Sequence, residues 1–300
     1  MALWSRGMNR RGFLAAAAGG SLAAAIIRQD GAWTAYGEDR AAKWRMRLST
    51  SSVHYPHLPI EQACERISAV GFEAIDIWSA YAQCRHLDDA LNRLGPQGLR
   101  ELLQRTHLQL FAFSVYVGGF PRYAALLGGC GGGVAVRGST GPCPADELTA
   151  RMRDFLDRLR PEIELAEKHN CRLAIENHGN ALLDSLDSLK AFVDLNRSPR
   201  VGIALAPYHL QRARISVPEA IAVCGSQLLF FYAWQQGSGT DQLPGHGPAD
   251  FSPWIAALRK IRYSGYVNPF MHGDVEPERM SAALAKSRDY LRGIVSPDRG

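Results

Sequence analysis

The chain has 300 residues and a mass of 32.9 kDa, with 46% hydrophobic and 21% charged residues. That mix excludes a disordered chain, a fibre and a polytopic membrane protein. The formal charge is +5, but the first 25 residues hold Arg6, Arg10 and Arg11 and no acid. Without those three the balance is 31 basic to 29 acidic residues, which gives no basis for a nucleic-acid partner.

The chain opens on an address. Asn9-Arg10-Arg11-Gly12-Phe13-Leu14 resembles the twin-arginine export motif, and Ala-rich Leu14 to Ile27 follows as its apolar stretch. That stretch is shorter than the roughly 20 residues that span a bilayer. Ala23-Ala24-Ala25 offers a small-x-small cleavage site. The expected organisation is a twin-arginine signal peptide over 1–25, a lead-in over 26–45, one domain over 46–293 and a tail over 294–300. The export machinery is then a partner, and the mature protein is periplasmic or otherwise exported. This route carries folded cargo, which allows a cofactor to be loaded first.

Short apolar, β-branched runs then alternate with amphipathic stretches. Strands are expected to begin near Arg47, Ala74, Leu108, Val134, Arg172, Val201, Leu228 and Gly265. The spacing averages about 31 residues, one βαβ unit. Eight such units predict a single α/β domain, a (β/α)8 TIM barrel from about Lys43 to Arg292. A doubly wound sheet would place a glycine-rich turn after its first strand; Ser49-Thr50-Ser51-Ser52 stands there. Pro59 precedes a helix from Ile60 that ends at Gly71. Asp146 to Asn170 reads as one long helix, Asp250 caps the helix through Trp254 and Leu258, and Glu276 to Leu291 closes the domain.

The six cysteines include no Cys-x-x-Cys pair. Cys130 and Cys143 flank one loop and are the first disulfide candidates in an oxidising compartment. Cys64, Cys171 and Cys224 read as core residues. Gly128-Gly129-Cys130-Gly131-Gly132-Gly133 lacks the Lys-Ser/Thr of a nucleotide loop and reads as a connector rather than a phosphate cradle.

A barrel carries its site at the C-terminal ends of its strands. The polar and aromatic residues ending the runs are His54, Asp76, Trp78, Tyr116, Arg137, Glu176, Asn177, His178, Tyr208, His209, Trp234, Gln235, Gln236, Asn268, His272 and Asp274. Several aromatics around one mouth point to a carbohydrate pocket, and the Arg137 fork suits an anion. His86, His107 and His169 lie away from the strand ends and are expected at the surface.

The chain resembles the xylose isomerase-like barrel superfamily, in its sugar phosphate isomerase/epimerase branch. The matching segments are Gly71–Ile77, Leu173–Gly179, Val201–His209, Gly245–Phe251 and Tyr263–Val267, spread over about 46–293. The resemblance implies a divalent metal, with Mn, Zn, Fe or Mg as candidates, held by carboxylates and a histidine at the ends of strands 5 to 8. Glu176 fits the first ligand position. Ala206, Trp234 and Asn268-Pro269-Phe270 stand where the family has an aspartate, a histidine and a glutamate. A site rebuilt from Glu176, His209 and His272 is the remaining metal expectation.

The resemblance further implies an enzyme on a small carbohydrate. Glu176 and His209 are the expected catalytic residues, and Asp76, Trp78, Arg137, Asn177, His178, Tyr208, Trp234 and Asn268 the expected substrate contacts. The expected reaction is isomerisation or epimerisation by proton abstraction next to a carbonyl. The alternatives are a lyase or glycoside-cleaving enzyme on an oxidised sugar, and a non-catalytic sugar-binding barrel with a degenerate metal site.

Overall fold

A computed structural model describes residues 44–295. The expected signal peptide over 1–25, its cleavage point and most of the lead-in lie outside the described residues.

Eight parallel strands follow one another in sequence order around one sheet. They are β1 Ser49–Ser51, β2 Ala74–Trp78, β3 Gln109–Ser114, β4 Gly133–Gly138, β5 Cys171–Glu176, β6 Val201–Leu205, β7 Leu228–Ala233 and β8 Val267–Pro269. Each starts within two residues of its expected position. The helix Ile60–Val70 ends where expected, at Gly71 with φ 91°, a left-handed cap that glycine adopts without strain. One helix differs. The stretch read as continuous from Asp146 divides into Leu148–Arg158 and Arg160–Lys168. Pro161 cannot donate a helical hydrogen bond, so the chain restarts there with proline in a first turn. The closing helix runs Pro277–Val295, past the expected start of the tail.

Strand alternation makes two cores. Outward side chains such as Ile75, Ile77, Phe113, Leu173, Ile175, Ile203 and Phe231 pack under the helices. Inward ones, including Trp78, Phe111, Val136, Ala174, Ala204, Phe230, Tyr232 and Trp234, fill the barrel. Two register shifts set this inward face. Between β2 and β3, Ile75 pairs with Leu110 but Asp76 with Ala112, so Phe111 is an extra residue. Between β6 and β7, Leu229 is extra in the same way. A bulge re-aims the side chains beyond it. Here the two bulges bring Ser114 and Tyr232 to the same interior as Asp76.

The seam between β8 and β1 is closed mainly by side chains. One parallel bridge joins Leu48 to Val267. Pro269 has no N–H, so the ladder cannot continue through it. Instead Ser49 Oγ donates to Asn268 Oδ1 (2.8 Å), Asn268 Nδ2 donates to Ser51 Oγ (2.9 Å) and Thr50 Oγ1 donates to the Pro269 carbonyl (2.9 Å). With that proton spent, His54 Nδ1 must donate to Thr50 Oγ1 (3.1 Å), which leaves Nε2 to accept from the Met271 N–H (3.2 Å). His54 is buried, and burial pushes its pKa down to about 3. It is a neutral staple of the seam rather than a group at the mouth.

The glycine-rich segment is a packing device. A Cβ on Gly128 would meet His169 at 2.8 Å, and one on Gly129 would meet Pro96 at 2.7 Å. It lies before β4, at the face opposite the strand ends. Cys130 and Cys143 are free thiols in this structure, as are the other four cysteines. His86, expected at the surface, is buried: its Nε2–H donates to the Leu58 carbonyl (2.8 Å) and its Nδ1 accepts from Cys84 Sγ (3.2 Å).

Asn268→Ala removes a two-sided bridge and leaves the Ser49 hydroxyl without its acceptor in a dry interior. We expect a loss of about 2–4 kcal/mol in denaturant unfolding. Thr106→Ala, which deletes a local helix-end bond to the Leu102 carbonyl, should cost less.

Candidate active site

Two carboxylates point into the barrel, and they differ in kind. Asp76 lies in the middle of β2 and is completely buried. It accepts from Ser51 Oγ (2.7 Å), Trp78 Nε1 (2.6 Å) and Ser114 Oγ (2.9 and 3.1 Å). Burial nevertheless outweighs these donors and raises its pKa to about 7. Expected to touch substrate, Asp76 is instead sealed one layer below the mouth, where it orients Trp78 and Ser114.

Glu176 ends β5. Its Oε2 accepts from Tyr116 Oη (2.7 Å), and among the described residues no group donates to Oε1. Tyr116 Oη also meets Tyr232 Oη at 3.1 Å. The Tyr116 proton goes to the carboxylate, so Tyr232 donates to Tyr116. Burial raises the Glu176 pKa to about 7; the Tyr116 hydrogen bond opposes this and the Asp76 charge adds to it. Both tyrosines are pushed well above the usual phenol value, first by burial and then by the Glu176 charge. They are neutral hydroxyls across the physiological range. Glu176 is thus a carboxyl near neutrality with one oxygen anchored, which is what a general base requires.

Above Glu176 the strand ends are aromatic. Trp78 stacks on Phe270 (5.2 Å, 16°) and lies 5.2 Å from Tyr116. Tyr208 stacks on Trp234 (4.3 Å, 11°). Three histidines border this cluster. His178 and His209 have ring centroids 3.9 Å apart, and His209 and His272 each stand edge-on to Trp234, at 5.3 and 5.0 Å. Burial, and then neighbouring imidazoles, lower His209 to about 3 and His272 to about 4, so both are neutral near pH 7. His209 Nε2 is buried with no hydrogen-bond partner among the described residues. A buried polar atom without a partner is costly, and a ligand oxygen at the mouth would satisfy it.

Three expected contacts are structural. Arg137 follows Val136 on the outward face of β4 and pairs with Glu162 beside the helix Arg160–Lys168, so it faces away from the mouth. Asn177 has its amide fully engaged: Oδ1 accepts from the Ala206 N–H (2.6 Å) and Nδ2 donates to the Ala206 carbonyl (3.3 Å), which ties β5 to β6. Asn268 is spent on the β8–β1 seam. Trp78, His178, Tyr208, His209, Trp234 and His272 do gather around the mouth, as expected.

The sequence reading missed the anchors. Ser51 and Ser114 donate to Asp76, and Tyr232 braces the Tyr116 hydroxyl that donates to Glu176; alternation of Phe230, Tyr232 and Trp234 along β7 was the available signal. Gln242 was missed as well. It accepts from Trp234 Nε1 (2.9 Å) and donates to the His272 carbonyl (2.7 Å), which locks two mouth residues from a loop.

The expected metal does not fit these residues. Among the described residues no group of three or more His, Cys, Asp or Glu side chains is placed to hold a metal ion. Glu176 shares an oxygen with Tyr116, and the ends of β6, β7 and β8 bring Ala206, Trp234 and Phe270 to the interior. The trio of Glu176, His209 and His272 is not assembled as a ligand set.

A family model described as xylose isomerase-like TIM barrel matches residues 64–292. None of the curated proteins matches the sequence. Solved structures share the fold at low identity. A 3-keto-D-glucoside 4-epimerase from E. coli is 17% identical with a TM-score of 0.65, over 83% of this chain and 100% of its own. A D-psicose 3-epimerase crystallised in the presence of D-fructose is 15% identical with a TM-score of 0.65, over 83% and 99%. The IolI protein with a bound zinc atom is 19% identical with a TM-score of 0.63, over 84% and 98%.

Two outcomes follow from the site. Asp76 is held near 7 in the folded chain against an ordinary 3.8, so between those values the folded state binds more protons than the unfolded one. Its contribution to stability is present below pH 3.8 and is lost as pH rises through about 7. Melting temperature should therefore fall across that window, with a shallower slope in Asp76→Asn. The second outcome concerns metal. A resident site would add about 2.7 kcal/mol at a hundredfold excess over Kd; thermal melts with Mn2+, Zn2+ or Mg2+ should show no such gain.

Proposed function

We propose, for a chain that belongs to the xylose isomerase-like TIM-barrel family, a sugar isomerase or epimerase that moves a proton next to a carbonyl. The observation that carries this reading is Glu176. It is buried at a strand end, has a pKa near 7, and is anchored through one oxygen by Tyr116. Glu176 takes the proton from the carbon beside the carbonyl. The C–H electron pair becomes the new C=C bond, and the carbonyl oxygen takes up the charge. The neutral imidazole of His209, whose Nε2 has no partner among the described residues, is suited to hydrogen-bond that oxygen without carrying a charge of its own. The hydroxyl proton of the deprotonated carbon passes to the charged oxygen, and Glu176 returns its proton to the former carbonyl carbon, so that the hydroxyl becomes the new carbonyl and an aldose becomes a ketose or the reverse. Delivery of a proton to the opposite face, by a water at the mouth, would instead invert the centre. Trp78, Tyr208 and Trp234 supply apolar faces for the ring.

Several structures of similar fold are sugar epimerases by name, which supports a carbohydrate as substrate. The Arg10-Arg11 leader supports export through the twin-arginine route. Arg10→Lys with Arg11→Lys should then leave the protein inside the cell by fractionation; unchanged export would remove that part of the reading.

Deuterium uptake from D2O into a keto- or aldo-sugar, followed by NMR, tests the chemistry. Glu176→Gln should lower the exchange rate by about 10²–10⁴-fold, the range for a lost general base, with little change in melting temperature. An elimination product would redirect the reading to a lyase. Sugar binding with no exchange at any pH would redirect it to a binding barrel.

A further inference from the structure

One sector of the barrel face carries more space than a single sugar ring uses. Three cavities, of about 1150, 350 and 230 Å³, adjoin along the loops after β1, β2 and β8. Pro56 and His57 line all three. Gln83 lines both the largest and the smallest, and Asp274 the two smaller ones. They form one groove. Its inner end reaches the mouth, because His272 lines the smallest cavity while its ring packs against Phe270 (4.9 Å) and Trp234 (5.0 Å). Tyr81 stands at this junction, 42% exposed, with its ring 5.6 Å from Trp78 and 5.4 Å from His272. An exposed aromatic braced on two mouth residues is a stacking surface for a ring leaving the mouth.

The groove's chemistry narrows its occupant. Its charged groups are largely spent on one another or on neighbouring side chains. Arg93 holds Glu61 at 2.7 and 3.0 Å, Asp88 is held by Arg122 at 2.9 Å, and His57 meets Asp274 at 2.9 Å. Asp89 and Glu276 add negative charge, and Arg85 in the largest cavity adds one cation. A phosphate or uronate would meet more carboxylate than cation there. Its apolar walls, such as Pro56, Leu58, Met271 and Val275, are interspersed with these charged groups, which disfavours a lipid. Exposed, mutually neutralised donors and acceptors suit a ligand rich in hydroxyls and without charge.

We propose that the substrate is a neutral oligosaccharide or glycoside in which one unit carries a free or latent carbonyl, a keto group or a reducing end. Its reacting ring sits over Glu176, and its remaining sugar runs out past Tyr81 into the groove at His57, Gln83 and Asp274. This inference rests on the carbohydrate reading of the site, but it concerns a separate surface and is read separately.

The test uses the full-length chain and saturation-transfer NMR with titration. The probes are glucose, galactose and mannose, the α- and β-linked disaccharides of each, and glucose 6-phosphate. At least one neutral disaccharide should bind about tenfold or more tighter than its own monosaccharide, equal to about 1.4 kcal/mol. Glucose 6-phosphate should show no gain over glucose. The double variant His57→Ala, Asp274→Ala and the single variant Tyr81→Ala should each reduce the disaccharide-to-monosaccharide ratio toward one. All three side chains are exposed, so melting temperature should hold. Equal affinity for mono- and disaccharides overturns the proposal, as does a preference that survives both variants, a preference for the phosphate, or binding of none of the probes. Deuterium exchange in the same samples separates the two readings. Exchange without a disaccharide preference leaves the isomerase reading and removes the groove. A preference without exchange leaves the groove and removes the isomerase.

Discussion

The structure depends on how the β8–β1 seam is closed. A parallel barrel has no edge only if its last strand bonds to its first, and here the last strand ends in a residue with no N–H. The seam is therefore carried by Ser49, Thr50, Ser51, His54 and Asn268 rather than by a full backbone ladder. Ser51 is shared: the hydroxyl that accepts from Asn268 also donates to Asp76. Asp76 in turn fixes Trp78 and Ser114. The closure of the barrel and the placement of the mouth aromatics are one hydrogen-bonded system.

That system explains why two carboxylates in one barrel interior behave differently. Both are desolvated, and both are raised toward neutrality for that reason first. Asp76 has all its neighbours committed and no exposure, so its chemistry is structural. Glu176 has one oxygen anchored by Tyr116 and sits at the strand end. Each charge raises the cost of the other, as the effect of Asp76 on Glu176 makes plain. A change at Asp76 is therefore felt at Glu176 through the field, without contact.

The mouth is built from rings where strand-end ligands would give a metal its shell. Trp234 occupies the end of β7 and Phe270 follows β8, and they contact at 5.1 Å. Tyr208, Trp78 and His272 complete an aromatic wall at the mouth, and Glu176 is left 7% exposed. Such a wall lowers the local dielectric, which strengthens the Tyr116–Glu176 hydrogen bond and any bond made at His209 Nε2. It also leaves ligand recognition to hydroxyl contacts and stacking.

The eight-unit period, the polar residues ending each run and the position of Glu176 at the end of β5 could be read from the sequence. They depend on local pattern: apolar runs, caps such as Gly71 and about 31 residues per unit. The direction of each rim residue could not. Arg137 and Glu176 both close an apolar run, yet one faces a helix and the other the barrel, because strand parity and the two bulges at Phe111 and Leu229 set the facing. Asn177 and Asn268 look like ligand-binding amides until their partners, the Ala206 backbone and two serines, are in view. The helix break at Pro161 was a local signal that the reading of Asp146 to Asn170 as one helix passed over. Sequence by itself determined the barrel, its order of strands and which residues reach the rim, since those follow from period and composition. Tertiary structure decided which of those residues are spent on the fold and which remain for a ligand, because hydrogen-bond partners more than 200 residues apart, such as Ser51 and Asn268, meet only when the barrel closes.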